Sequence, residues 1–333
     1  MIYSLSSIWN KSLELAPTRA VEPRQHIYAS ELGGSFVDRY LKMTGVDPTN
    51  PPNARSLRKF EAGNIMEYLI GIVLRRAGVL LSSQDHYVEQ IEGLLKVTGR
   101  CDFVMGGKPD LETAKKEIET MQLPDMIGRA SVAIIEGLKQ VFGDVELPPR
   151  LLEVKSCSDF MFNHYDRIKQ PNDNHVLQLR HYQRCSGYPG DILYVNKDNL
   201  LMLEFGVNAS ADEAYEADVR TMTAYLNSGV LPPKEKEVFF DEAECRFSKN
   251  WKVEYSNYLS KLYGYPTPEA YRERWDKAIA SYNRTFKRCV NGDNMTKLNL
   301  SVIEEAKMLF PDWDTYVDMA KSKGITLEDE SED

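Results

Sequence analysis

Leu151-Leu152-Glu153-Val154-Lys155-Ser156 is a short apolar run holding an acid and a base two positions apart. Read as a strand, it alternates its side chains between two faces. Glu153 and Lys155 then share one surface, and Leu152, Val154 and Ser156 share the other. Charged residues are seldom buried unless paired or bound to metal. Either the two form a cross-face ion pair at an exposed end of the strand, or the fold uses them.

The surrounding chain repeats this placement of charge in apolar patterns. Residues 54–77 read as a long helix in which Phe60, Gly63, Glu67, Ile70 and Leu74 fall on one stripe. Glu67 is thus an acid within an apolar face, to be balanced by Arg58 or Arg75 at the rim or by a metal. Residues 79–90 and 94–105 read as a hairpin turning near Glu92-Gly93. Asp102 interrupts its second strand, where a carboxylate is unfavourable in propensity and costly if buried. Residues 175–184 read as a helix with Gln178 and Tyr182, at i and i+4, on one face. That pair reads equally as a core tyrosine with a capping amide.

A helix with Gly63-x-x-x-Glu67, a strand with Asp102, a strand with Glu153-x-Lys155 and a helix with Gln178-x-x-x-Tyr182, in that order, resemble the PD-(D/E)XK nuclease superfamily. The likeness covers roughly residues 30–233 and is greatest to the RecB nuclease domain and the RecB-like, CRISPR-associated and phage exonucleases. It implies an α/β restriction-endonuclease-like core, a mixed central sheet flanked by helices, with a helical insertion and a helical C-terminal region. It also implies catalytic roles for Asp102, Glu153, Lys155, Gln178 and Tyr182. Mg2+ or Mn2+ would be held by Glu67, Asp102, Glu153 and the backbone carbonyl of Val154, an all-oxygen set suited to a hard cation. Gln178 and Tyr182 would hold the scissile strand, and Arg180 or Arg184 would meet phosphates if that helix face is exposed. DNA is the implied substrate, in recombination, repair or phage DNA processing, and a helicase, a recombinase or another DNA-processing protein the implied partner.

The chain departs from its likeness at the iron-sulfur ligands. No cysteine lies near Gly33-Gly34-Ser35, and Val253 and Ser256 stand where a late Cys-x-x-Cys pair would be. Valine cannot ligate iron, so no iron-sulfur cluster is expected. All four motifs hold competent residues, which favours a Mg2+- or Mn2+-dependent deoxyribonuclease. The alternative is a silent relative that binds DNA or protein as an assembly component. No Gly-x-x-x-x-Gly-Lys phosphate loop, Gly-x-Ser-x-Gly elbow or paired zinc motif suggests another enzyme class.

A net charge of -9 argues against a general nucleic-acid coat protein. Between residues 150 and 190, however, six bases (Arg150, Lys155, Arg167, Lys169, Arg180, Arg184) outnumber four acids. Five scattered cysteines give no disulfide framework or zinc motif. No apolar run reaches membrane-spanning length and residues 1–11 lack a secretory pattern, so no membrane and a cytoplasmic location are expected. His164, His175 and His181 show no ligand spacing and read as surface or packing residues.

The expected organisation is an N-terminal helical segment (1–53), a nuclease core (54–233) with a helical insertion (108–149), a helical region (234–326) and an acidic disordered tail (327–333). Within these, Ser30 is expected to cap a helix reaching residue 43. The insertion would carry helices at 111–121 and 124–142. Residues 159–174 read as an irregular connection, and 191–196 with 200–207 as a hairpin. Ser210 is expected to cap a helix over 211–226. Helices are expected at 251–263, 268–290, 301–310 and 313–322.

Overall fold

A computed structural model describes residues 21–110 and 146–323, together with residues 4, 9, 11, 12, 112, 114, 116, 135–137, 139, 140 and 143. The predicted insertion helices fall mostly outside the described residues, and the acidic tail falls wholly outside them. Two compact units emerge: residues 1–46 with 52–231, and residues 47–51 with 232–333.

The first unit is built on a six-stranded mixed sheet. Its strands are β1 (His26–Tyr28), β2 (Leu80–Glu89), β3 (Lys96–Gly107), β4 (Leu147–Cys157), β5 (Gly190–Asn196) and β6 (Met202–Val207). β2 runs antiparallel along one edge of β3, from the Glu89–Val97 pair to the Leu80–Met105 pair. The other edge is shared: β1 takes Lys96–Thr98 in parallel, and β4 takes the stretch from Phe103 to Gly107 antiparallel. Between these two partners, residues 99–102 lie at a fork. β4 continues past the fork in parallel with β5, and β6 closes the order antiparallel to β5.

Helices cover both faces. α1 (Phe36–Met43) follows a 3-10 turn, Ala29–Glu31. α2 (Ala54–Arg76) is capped by Asn53, whose side chain accepts the Ser56 N–H at 3.0 Å. Its Ile70 and Leu74 pack with Phe103, Leu152, Val154, Leu193 and Val195. A Cβ on Gly71 would lie 3.1 Å from the Phe103 ring, so glycine there permits the close approach. The alternate residues Leu151, Ile192 and Tyr194 face the opposite core, with Leu177, Leu179 and Tyr182 of α4 (Asp173–Ser186) and Tyr215, Val219 and Met222 of α5 (Asp212–Ser228). Alternation along β4 and β5 therefore assigns neighbouring residues to different cores.

Several expectations change. The N-terminal segment is not separate, because β1 pairs within the sheet; the helix cap is Ser35 rather than Ser30. Residues 159–174 contain α3 (Asp159–Ile168), which buries Phe162 and Tyr165 at i and i+3. Ser210 lies in a short 3-10 turn, and α5 begins after Ala211 with no side-chain cap.

The second unit is not purely helical. β7 (Val238–Asp241) and β8 (Arg246–Lys249) form an antiparallel hairpin before α6 (Trp251–Glu254), α7 (Leu259–Tyr263), α8 (Pro268–Asn291), α9 (Lys297–Leu309) and α10 (Trp313–Ser322). The expected single helix at 251–263 is split, with Tyr258 N–H donating to the Ser256 hydroxyl at 3.0 Å in the break. Phe247 stacks on Trp313 at 5.0 Å, and Asn283 bonds both the N–H and the carbonyl of Phe247. This aromatic cluster fixes the hairpin to α8 and α10. Among the described residues no helix is long and apolar enough to cross a membrane.

Candidate active site

The fork in the sheet brings the predicted acidic residues together. Phe103 pairs with Leu152, so Asp102 and Glu153 are the first residues beyond the last rung between β3 and β4. Asp102 replaces the lost ladder bond by accepting the Val154 N–H on Oδ2 at 2.8 Å. The N–H and C=O of one strand residue point to the same edge. The Val154 carbonyl therefore also faces the fork.

Glu153 is 1% exposed. Its Oε1 accepts from Lys155 Nζ at 2.7 Å and from Gln178 Nε2 at 2.7 Å. Lys155 also donates to Gln178 Oε1 at 3.0 Å, and Gln178 Nε2 donates to the Tyr182 hydroxyl at 3.1 Å. Ammonium groups only donate, so the amide oxygen of Gln178 must face Lys155 and its nitrogen the acceptors. The expected role of this pair is revised by its burial. Gln178 and Tyr182 are 7% and 1% exposed and bond inward, which suits them to positioning Lys155 rather than gripping a strand. A Cβ on Gly99 would lie 2.9 Å from the Tyr182 hydroxyl and 2.6 Å from the Ala29 Cβ, so only glycine accommodates the ring there.

Glu67 joins the group through a residue the sequence reading did not select. Gln84 Nε2 donates to Glu67 Oε1 at 2.7 Å and approaches Asp102 Oδ1 at 3.4 Å. Gln84 has a φ of 57°, rare for a non-glycine residue, and this turn in β2 is an observable mark of the site. The partner of Glu67 is thus neither of the expected arginines.

Electrostatics bear on what the cluster could hold. Burial pushes Asp102 well above the usual carboxylate range, and the neighbouring negative charge of Glu153 adds to the shift. Burial also raises Glu67, with the Gln84 hydrogen bond acting the other way. Lys155 is held above the usual lysine value, because Glu153 and Asp102 outweigh the effect of burial on the ammonium. Oε2 of Glu153 is buried with no hydrogen-bond partner. A buried carboxylate oxygen without a donor is costly, and a cation there would offset that cost. Three carboxylates and a main-chain carbonyl match the oxygen preference of Mg2+ or Mn2+.

Arg180 and Arg184 are not brought to this group. Each lies two residues beyond Gln178 or Tyr182, about 200° around α4. Arg180 donates to both oxygens of Asp212, at 2.8 and 2.7 Å. Arg184 pairs with Glu89, Asp212 and Glu216. These pairs border a separate cavity of about 600 Å3 beside Tyr188 and Pro189.

Glu89, His181 and Cys185 also approach one another closely enough to suggest a metal group. Their bonding is that of a closed polar network. Glu89 accepts from Arg184 and from the Tyr215 hydroxyl at 2.8 Å, and His181 Nδ1 lies 3.0 Å from the same hydroxyl. A guanidinium already fills the cation position. His175 lies 2.7 Å from the Tyr194 hydroxyl; burial and the charge of Lys155 lower its pKa to about 3.

This network carries a pH dependence. Burial would raise Glu89, but the His181 ring 3.9 Å away and hydrogen bonds from Arg184 and Tyr215 outweigh it and hold the carboxyl at about 2, against 4.5 when free. A depressed carboxylate stabilises the fold above its unfolded pKa and loses that contribution as pH falls toward its folded one. Urea midpoints should therefore drop between pH 4.5 and pH 2. Glu89→Gln, less stable near neutrality, should show a shallower acid limb. An unchanged limb would remove Glu89 from the account.

No family model matches the chain, and no curated protein matches it. Among solved structures, the crystal structure of SSO0001 is similar over 73% of this chain and 92% of its own length, at 13% identity and a TM-score of 0.39.

Proposed function

We propose that the chain is a metal-dependent DNA nuclease of the PD-(D/E)XK type, a RecB-like exonuclease acting in recombination, repair or phage DNA processing. The observation that carries this reading is Glu153: a fully buried carboxylate bonded to Lys155, facing Asp102, with one oxygen left unpartnered. A structural ion pair needs neither a second buried acid, Asp102, nor a partly buried third, Glu67. A phosphodiester hydrolase does, because its metal must be held against a polyanion.

In this reading Glu67, Asp102, Glu153 and the Val154 carbonyl hold Mg2+ or Mn2+. When bound, such an ion neutralises phosphate charge and makes its water more acidic. Lys155 orients the attacking water and stabilises charge developing on the phosphate oxygens. Gln178, on α4, accepts from the Lys155 ammonium and fixes it, and Tyr182 fixes Gln178. Asp102 holds the fork open by capping the Val154 N–H, which keeps the carbonyl edge of β4 available.

Metal binding is measurable apart from cleavage. At a concentration 100 times its dissociation constant, a ligand of the native state adds about 2.7 kcal/mol. For a unit of this size that is a rise in Tm of about 5–11 °C. Mg2+ or Mn2+ should produce such a rise, EDTA should reverse it, and Asp102→Asn should abolish it. Cleavage of end-labelled linear and circular DNA under the same conditions tests the reaction. Metal-dependent cutting that spares circles supports an exonuclease. DNA binding without cutting under any condition would replace this reading by the silent binding module.

A further inference from the structure

Beside the buried cluster lies a second cleft, of about 680 Å3, which reaches Gln178 and Tyr182 from the β1 side of the fork. The registers give its composition. His26 pairs with Lys96 and Tyr28 with Thr98, while His86 pairs with Arg100 and Val88 again with Thr98. Directly paired residues share a face. Three strands therefore present His26, Tyr28, Lys96, Arg100 and His86 on one side, with Ile27 and Val97 buried on the other.

The chemistry of this face is selective. None of the described residues lining the cleft is acidic, in a chain whose net charge is -9. Lys96 and Arg100 are exposed, and neither forms an ion pair among the described residues. They stand four residues apart on β3, about 13 Å along the strand. Tyr28, opposite Thr98, sits midway between their rows and is 42% exposed. The Arg24 guanidinium lies 4.2 Å from its ring centroid, and His26 meets the ring edge-on at 4.8 Å. Arg24 is itself held by Glu31. An exposed ring held in place by its neighbours is a stacking platform, and flanking cations are phosphate contacts. Arg100 stands two residues before Asp102, so the cationic row leads toward the fork.

We propose that this cleft seats a single-stranded segment of nucleic acid, with a base stacked on Tyr28 and backbone phosphates on Lys96 and Arg100. The inference deepens the nuclease reading and rests on it for the chemistry awaiting the strand at the fork. Single-strandedness follows from the ring, because a base stacked within a duplex offers no free face to Tyr28.

The test is fluorescence anisotropy of the full chain with a labelled oligodeoxynucleotide, single-stranded or duplex, in EDTA and at several salt concentrations. Single strands should bind more tightly than duplexes. Tyr28→Ala should weaken single-strand binding roughly tenfold, with Tyr28→Phe restoring it. Lys96→Ala and Arg100→Ala should each reduce the salt slope by about 0.7. Equal affinity for duplex, equal competition by a poly-glutamate peptide, or unchanged binding in all three alanine variants overturns the proposal. The two readings separate cleanly. Metal-dependent cutting that survives in the three variants with wild-type binding sinks the cleft and leaves the nuclease. Cleft-dependent binding without cutting sinks the nuclease and leaves the cleft.

Discussion

Lys155→Met and Glu153→Gln are each expected to lower metal-dependent DNA cleavage by roughly 10²–10⁴-fold. Methionine keeps much of the lysine stem but removes the charge, and leaves Glu153 Oε1 with only the Gln178 amide at 2.7 Å. Glutamine keeps the shape of Glu153 but places a neutral amide where Lys155 donates at 2.7 Å. Both changes break one hydrogen-bonded unit, so the double variant should be little worse than either single one. Gln178→Ala should lose less, since it only positions Lys155. The check is the single-turnover rate of fragment release at saturating metal, with Tm measured alongside. Retention of activity within tenfold by either single variant would remove the Glu153–Lys155 pair from the chemistry.

The residues at the centre of this site stood out because their order and spacing resemble the PD-(D/E)XK pattern, while local periodicity alone marked only which faces they share. Glu153 and Lys155 two apart, Asp102 inside an apolar strand and Gln178 with Tyr182 four apart each mark a face without knowledge of the fold. Gln84 escaped because its role depends on the register that sets β2 against β3, and nothing local distinguishes it from a surface amide. β1 escaped for a similar reason: its three residues acquire meaning only through parallel pairing with Lys96–Thr98, some seventy positions away. α3 was obscured by its outer face, where Asn163, Asp166 and Arg167 gave the segment a loop-like composition while Phe162 and Tyr165 were buried. The hairpin of β7 and β8 was missed because four-residue strands offer too few alternations to compete with the helical patterns that follow. Arg180 or Arg184 would meet phosphates only if their helix face were exposed, and ion pairs cover that face instead. Their partners Glu89, Asp212 and Glu216 lie on other elements, beyond a local count.

Asp218→Ala is expected to destabilise the first unit by about 3–5 kcal/mol, the usual cost of leaving one member of a buried ion pair alone. Arg39 and Asp218 are 4% and 8% exposed, and the guanidinium reaches both carboxylate oxygens, at 2.7 and 2.8 Å. Asp218 also accepts the Gly33 N–H at 3.1 Å. The pair therefore ties α1 and the turn after β1 to α5, and so steadies the strand that carries Tyr28. Nε of Arg39 is already buried without a partner, which leaves the guanidinium little means to tolerate a further loss. For a unit of this size the change corresponds to a fall in Tm of about 6–20 °C. Arg39→Met combined with Asp218→Leu should recover most of it, because a buried pair replaced by apolar groups of similar volume is often neutral or better. Urea unfolding of Arg39→Met, Asp218→Leu and the double variant closes the cycle. A loss below about 1 kcal/mol for Asp218→Ala would show that water reaches Arg39 and that the pair does not anchor the turn.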